Sequence, residues 1–124
     1  MFSQLNVTEA ARFCQSHAMR LVSIESPAEE QYLAQIIEAA KFGKKWEKWE
    51  FTYWWTSGSD VEVENKWVWT TTRQPVRYTN WAPGEPNNVG KWEHFIGIRV
   101  EGRTVKWFDF PAENWTVIYA ICEY

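Results

Sequence analysis

The sequence predicts an α+β fold, and two observations carry this prediction. The first third of the chain holds two segments with helix-capping signals and apolar residues at helical spacing. From Tyr53 onward, short stretches of aromatic and β-branched residues are separated by turn residues, as in antiparallel strands. Helices followed by strands in a chain of 124 residues indicate one α+β domain over residues 1–124.

Both helices are predicted from their first turns. Asn6 and Glu9 have the spacing of a capping box. In the second helix Ser26 is the predicted cap, Pro27 takes the first helical position and Glu29 follows in the first turn. The expected faces are Ala10, Phe13, Cys14 and His17 in the first helix, and a buried stripe of Tyr32, Leu33, Ile36, Ile37 and Ala40 in the second.

The rest of the chain is predicted to be strands and long connections. The strands are expected at 21–24, 53–56, 66–69, 95–100, 105–108 and 118–123, with 57–60 ending the second of them. Residues 44–51 are predicted to extend the second helix, and their Trp46 and Trp49 either fold back onto the core or form an exposed rim. Residues 80–92 form a long loop rich in proline and glycine, and such loops in small domains are usually functional.

Composition excludes several classes of function. A net charge of −3 with interspersed signs argues against nucleic-acid binding, and no apolar run is long enough to insert into a membrane. The two histidines, His17 and His94, lack metalloprotease spacing, and the sequence has neither a nucleophile elbow nor a phosphate-binding loop, so we predict no enzyme. The ten tryptophans are either core residues or stacking platforms for a ligand.

The cysteines and the sequons bear on the compartment. Cys14 and Cys122 form either a disulfide or two buried thiols, since their number alone does not decide. Asn6 and Asn114 each begin an N-x-Thr sequon and are candidate glycosylation sites. The sequons fit an extracellular protein, either secreted or the ectodomain of a larger one.

Seven short segments occur in an order and spacing that characterise one family. The chain resembles the C-type lectin-like domain over essentially its full length, and most closely the secreted arthropod-style lectins. The resemblance implies a double-loop fold with paired termini and a Cys14–Cys122 disulfide; the family's second disulfide is missing, with Phe95 and Ala112 at its positions. The segments are residues 10–14, 21–24, 55–58, 76–81, 85–88, 107–109 and 120–123.

The resemblance also implies a Ca²⁺ site that binds sugar hydroxyls. Its ligands would be oxygens of Glu85, Asn87, Glu93 and Asp109, and Pro86 would follow a cis peptide bond. The Glu-Pro-Asn order implies mannose-, fucose- or N-acetylglucosamine-like glycans. Trp92, next to Glu93, is either a loop anchor packed inward or a ring that contacts the ligand.

Three positions depart from the family pattern. Phe108 stands where the family has an asparagine ligand, which removes one hydrogen-bonding partner of the sugar and adds bulk. The family's auxiliary calcium site is expected to be absent, because Asn88 and His94 replace acidic residues. We therefore predict calcium-dependent binding of mannose-type glycans, as in recognition of microbial sugars in innate immunity. A calcium-independent, protein-binding domain with a degenerate sugar site is the alternative, and the oligomeric state is left open.

Overall fold

The computed structural model describes residues 6–42, 52–88, 91–102, 104–112 and 117–124. The described residues form two helices and eight strands, with seven of the strands after the second helix, which confirms the α+β prediction. In chain order these elements are α1 Val7–Ser16, β1 Arg20–Leu21, α2 Pro27–Phe42, β2 Thr52–Ser59, β3 Val68–Trp69, β4 Gln74–Pro75, β5 Phe95–Glu101, β6 Thr104–Phe110, β7 Val117–Ala120 and β8 Cys122–Glu123.

The strands form a small sheet and a large one. In the small sheet β1 pairs antiparallel with β8, so the segment that follows α1 lies beside the last strand. In the large sheet the order is β4-β3-β2-β5-β6, and β7 pairs parallel with β2. The antiparallel β5–β6 hairpin runs in unbroken register from Phe95↔Phe110 to Glu101↔Thr104. This hairpin, together with the loop before it, carries the residues of the predicted site.

The disulfide predicted from the family resemblance is confirmed. Cys14 in α1 is bonded to Cys122 in β8, with an S–S distance of 2.08 Å and a sequence separation of 108 residues. Cys14 is fully buried and belongs to a core cluster with Ala10, Leu21 and Trp55. The bridge therefore fastens α1 to the sheet in which the chain ends.

The capping predictions are confirmed in both helices. Asn6 accepts a hydrogen bond from the Glu9 N–H (2.8 Å), and the Glu9 side chain accepts from the Asn6 N–H in return (3.0 Å). In α2 the Ser26 hydroxyl accepts from the Glu29 N–H at 3.2 Å. Each bond satisfies a backbone donor that the first helical turn leaves unpaired.

The predicted buried stripe of α2 was partly wrong. Leu33 and Ile37 are buried, but Tyr32 and Ile36 are exposed, and Ala34 is buried with them instead. The helix is therefore turned so that Glu30, Leu33, Ala34 and Ile37 face the core. In α1, likewise, Phe13 is exposed and its ring lies beside His17 (4.7 Å between centroids) rather than in the core.

The strand bounds also differ from those predicted. Residues 57–59 do not end β2 but continue it, because Gly58 pairs with Trp69 of β3. A Cβ at Gly58 would lie 2.4 Å from Ile96, so the glycine serves close packing between strands and not a turn. The early strand covers only Arg20–Leu21, and the last one is divided into β7 and β8. The predictions for residues 44–51 and for Asn114 lie outside the described residues.

Most of the tryptophans in the described residues belong to the core or pack against it. Trp55, Trp69 and Trp107 are among the largest fully buried side chains, and Trp69 and Trp107 meet edge-to-face at 5.7 Å. Burial of such rings compensates for the small number of aliphatic residues. Within the described ranges, neither helix could serve as a membrane span.

Candidate metal-binding site

The long loop is attached to β6 through backbone hydrogen bonds. The Trp107 N–H donates to the Asn80 carbonyl (3.0 Å), and the Ala82 N–H donates to the Trp107 carbonyl (2.9 Å). Beyond the loop, the His94 N–H donates to the Phe110 carbonyl (3.1 Å). The loop therefore leaves and rejoins the sheet on either side of Asp109.

A buried carboxylate supports the start of this loop. Glu30 of α2 accepts hydrogen bonds from the Tyr78 hydroxyl (2.6 Å), the Asn80 amide (2.9 Å) and the Trp107 indole (2.6 Å). Desolvation and the adjacent Glu30 raise the pKa of Tyr78 to about 12, so its hydroxyl stays a donor. Glu30 was not predicted as a buried residue; its only signal in the sequence was its position three residues before Leu33, on the same face of α2.

Asp109 organises the centre of the loop. Its side chain is 2% exposed, and its two oxygens accept from the backbone N–H groups of Asn87 (3.1 Å) and Asn88 (2.7 Å). These bonds hold the Glu85–Asn88 turn against β6. The Glu85–Pro86 peptide bond is cis, as the family resemblance implies.

Glu85 lies in this turn with an unusual environment. One of its carboxyl oxygens is buried without a hydrogen-bond partner, while the other accepts from the Asn87 amide at 3.3 Å. Burial, the adjacent Asp109 carboxylate and the charge of Glu93 together raise the pKa of Glu85 to about 8. A cation beside these carboxylates would offset the repulsion that raises this pKa.

Glu93 lies at the edge of this arrangement. Its charge acts on Glu85, and its backbone N–H donates to the Asn88 side-chain oxygen at 3.1 Å. The carboxylate oxygens of Glu85, Glu93 and Asp109 are not all within 4.8 Å of one another. A single ion shared by the three carboxylates would therefore require them to lie closer together.

These donors fit a calcium ion. Calcium prefers six to eight oxygen ligands from carboxylates, amides and water. The site offers three carboxylates and the amide of Asn87, with a buried oxygen of Glu85 that has no other partner. The assignment of the four residues as calcium ligands stays a prediction that this geometry permits.

Phe108 does not occupy the space between these groups. Its ring meets Tyr53 edge-to-face at 5.4 Å and lies 6.2 Å from Phe110, beside the core cluster that contains Cys14. The expectation that the ring adds bulk among the ligands is therefore not supported. What this position lacks, relative to the family, is the amide.

Trp92 is not the inward-packed loop anchor. Its side chain is 64% exposed, immediately before Glu93. The alternative, that the ring is available to a ligand, remains open.

Similarity to known proteins agrees with this architecture. The family model of the lectin C-type domain matches residues 3–124. The chain belongs to the C-type lectin domain family. Among its relatives, perlucin of Haliotis laevigata is 30% identical over 115 residues, which cover 93% of this chain and 67% of perlucin. The C-type lectin mosGCTL-7 of Aedes aegypti is 32% identical over 121 residues, 95% of this chain and 76% of that protein.

Two solved structures illustrate the range of this fold. The carbohydrate-recognition domain of cow CD23, crystallised in the presence of GlcNAc2Man3 oligosaccharide, has a TM-score of 0.71 and 29% identity, covering 94% of this chain and 78% of that one. A calcium-independent type II antifreeze protein has a TM-score of 0.70 and 24% identity, covering 95% and 77%. The latter shows the fold alone. Domains of this family are binding modules for glycans or proteins and are typically extracellular.

The pKa of Glu85 predicts how the stability of this lectin domain depends on pH. Because its folded pKa of about 8 exceeds the ordinary value of 4.5, the native state holds the proton more tightly than the unfolded state. The resulting stability is complete below pH 4.5 and is lost as the pH rises through 8. In chelator-treated protein we expect a loss of about 1–3 kcal/mol between pH 5 and 8, after allowance for solvent screening.

Urea unfolding at both pH values, with wild type and Glu85→Gln, measures this effect. The variant has no proton to release at position 85. Its free energy of unfolding should therefore fall by about 1–3 kcal/mol less than that of wild type between pH 5 and 8. Equal losses in the two proteins would contradict the environment described for Glu85.

Proposed function

We propose that this domain binds mannose-type glycans through one Ca²⁺ ion at the tip of the long loop. The carrying observation is the contact between loop and sheet: the Asn87 and Asn88 N–H groups hold Asp109, and this places the partnerless oxygen of Glu85 beside it. The proposed ligands are Glu85, Asn87, Glu93 and Asp109.

The ligand count leaves room for a sugar. One oxygen each from Glu85, Asn87 and Glu93, with two from Asp109, gives about five protein ligands of the six to eight that calcium takes. Two adjacent hydroxyls of one sugar ring can complete the set. When bound, the ion supplies positive charge that orients these sugar hydroxyls. The hydroxyls can then donate hydrogen bonds to the neighbouring carboxylates.

The sugar class follows from the loop sequence. In this family the order Glu85-Pro86-Asn87 is that of mannose-, fucose- and N-acetylglucosamine-type sites. The similar cow CD23 domain was crystallised with an oligosaccharide of N-acetylglucosamine and mannose. Trp92 adds an exposed ring beside Glu93, and we propose that it packs against the apolar face of a bound sugar.

The expected affinity for one sugar is weak. A millimolar complex has a binding free energy of only about 4 kcal/mol. The missing amide at Phe108 costs one hydrogen bond, roughly 1–3 kcal/mol where the partner stays unpaired. Several linked domains acting on a multivalent glycan can recover the loss, as expected of an extracellular recognition protein that binds microbial surfaces.

Retention on a mannose column tests the proposal. We expect the domain to bind at millimolar calcium and to elute with a chelator, and Glu85→Gln to pass through. A galactose column is the control for sugar class. Calcium-dependent mannose binding would be contradicted if wild type passed through the mannose column, or if it stayed bound when the chelator was added.

Phe108→Asn is expected to strengthen sugar binding by about tenfold, because an asparagine, free of the ring contacts that hold Phe108 against Tyr53, can turn toward the ion and restore one hydrogen bond of about 1.4 kcal/mol. The same change removes the ring contacts with Tyr53 and Phe110, so the melting temperature should fall. Phe108→Ala is the matched control, because it loses the ring without gaining the amide. Titration with methyl mannoside separates the two; equal affinities in both variants would show that the amide is not what the site lacks.

The alternative is a protein-binding domain that needs no calcium. It is favoured by the exposed apolar residues Tyr32 and Ile36 on α2, far along the chain from the loop. The calcium-independent antifreeze protein shows that this fold does not itself require calcium. A domain of this kind would pass through the mannose column both with and without calcium.

A further inference from the structure

A second group of metal-binding side chains lies beside the calcium loop. Asp60, Glu64 and His94 each offer one donor atom, and these three atoms all lie within 4.8 Å of one another. From the chemistry of these donors we propose that this group binds a zinc-type divalent ion and not calcium. The proposal does not depend on sugar binding by the loop.

The backbone fixes two of the three residues. Asp60 directly follows β2 and is 1% exposed, and its N–H donates to the His94 carbonyl at 3.1 Å. One Asp60 oxygen accepts from the Asn65 N–H (2.9 Å), which leaves the other facing the His94 Nδ1, also at 2.9 Å. These two donors are therefore placed side by side before any ion arrives.

Glu64 completes the group from the exposed turn after β2. Its carboxylate accepts a hydrogen bond from the Asn88 amide at 2.5 Å. Asn88 also accepts a hydrogen bond from the N–H of Glu93, the residue before His94. The two bonds together hold Glu64 on the side of the loop where His94 lies. An exposed glutamate can adjust its position around an ion at little cost, unlike Asp60.

The imidazole of His94 has the orientation of a metal ligand. Its Nε2 lies 3.1 Å from the Lys91 carbonyl, to which it can donate its N–H. Metal-binding histidines characteristically donate one ring N–H to a backbone carbonyl or carboxylate, which fixes the tautomer and leaves the other nitrogen for the ion. Without an ion, Nδ1–H donates to the Asp60 carboxylate at 2.9 Å, and an ion that binds between these atoms takes the place of that proton while Nε2 keeps its bond to Lys91.

The spacing fits a small ion. Zinc ligands lie about 2.0–2.1 Å from the metal in a tetrahedron, so that donor atoms are separated by about 3.4 Å. The His94 Nδ1–Asp60 Oδ1 distance of 2.9 Å is close to this value, and the Glu64 donor atom lies within 4.8 Å of both. Three protein ligands leave the fourth position to water.

The donor types select the class of metal. Calcium takes six to eight oxygens and has little use for an imidazole nitrogen, whereas zinc combines nitrogen and carboxylate ligands readily. His94 and Asn88 stand where the family resemblance would put acidic residues for an auxiliary calcium ion. The exchange of a carboxylate for an imidazole removes a calcium ligand and creates a zinc ligand at the same place.

Calorimetric titration of the chelator-treated full chain with Zn²⁺ tests the proposal, with 5 mM Ca²⁺ present throughout. We expect one equivalent of Zn²⁺ to bind wild type, and His94→Gln and Glu64→Gln each to bind at least about tenfold more weakly. Glu64 is exposed, so its variant should fold as wild type does, which circular dichroism checks. His17→Gln is the matched control: that histidine lies at the exposed end of α1, and its loss should leave zinc affinity unchanged.

Three results would overturn the assignment. They are the absence of Zn²⁺ binding to wild type, undiminished affinity in His94→Gln, and a loss of affinity in His17→Gln. Suppression of Zn²⁺ binding by the added Ca²⁺ would also overturn it, because it would show that the site takes calcium. Glu85→Gln, which should abolish sugar retention but keep Zn²⁺ binding, separates a failure of this proposal from a failure of the glycan site.

Discussion

Asp109→Asn is expected to abolish calcium binding and to lower the free energy of unfolding by about 1–3 kcal/mol. The carboxylate of Asp109 has two roles, since it accepts two loop N–H groups and contributes negative charge to the proposed ion site. An asparagine retains only one accepting oxygen, and its amide would face a backbone donor in a buried position. The loop would be released from β6, and Glu85 would lose its place.

Thermal unfolding with and without calcium measures both parts of this prediction. Wild type should melt at a higher temperature in millimolar calcium, because the ion binds only the native state. Asp109→Asn should melt lower and show no calcium-dependent shift. Glu62→Gln, an exposed carboxylate outside the site, is the control and should behave as wild type. A full calcium shift in Asp109→Asn would exclude this residue as a ligand.

The paired replacement of both cysteines by alanine is expected to lower the free energy of unfolding by up to about 4.7 kcal/mol. The Cys14–Cys122 bridge closes a loop over a sequence separation of 108 residues, and without it the unfolded chain regains most of its conformational freedom. Cys14 is also fully buried, so its removal leaves a small cavity next to Trp55.

Urea unfolding of the double variant, compared with reduced wild type, checks this expectation. The two proteins lose the same covalent link and should lose similar stability, apart from the cavity. If the double variant were within about 1 kcal/mol of oxidised wild type, the bridge would have no important role in holding the ends of the chain together.

Local sequence signals predicted those parts of the fold that depend on local interactions. The capping bonds of Asn6 and Ser26 involve residues three positions apart, so their spacing was enough to find them. The disulfide joins distant residues and followed only from the family resemblance. The long loop was recognisable because its prolines and glycines exclude regular structure.

Features set by tertiary packing were not predictable in this way. Tyr32 and Glu30 both lie near the boundary of the apolar stripe of α2, and burial of Glu30 depends on three donors that come from residues 78, 80 and 107. The sequence around Gly58 is typical of a turn, but in the fold Ile96 packs so closely against Gly58 that no side chain fits there. The Phe108 ring was expected to add bulk among the calcium ligands, but it packs instead against Tyr53 on β2.

The candidate site shows the same division. The Glu85-Pro86-Asn87 turn and Asp109 were found from their motifs, whereas the exposure of Trp92 and the approach of His94 to Asp60 were not. Asp60 and His94 are 34 residues apart, and only the pairing of β2 with β5 brings them together.

A crystal structure of the domain grown with millimolar calcium and mannose tests the central claim most directly. We predict one ion 2.3–2.6 Å from oxygens of Glu85, Asn87, Glu93 and Asp109, with two adjacent mannose hydroxyls completing its coordination. Electron density without an ion at that position, or with Glu85 and Asp109 turned away from each other, would contradict calcium-dependent glycan binding by this loop.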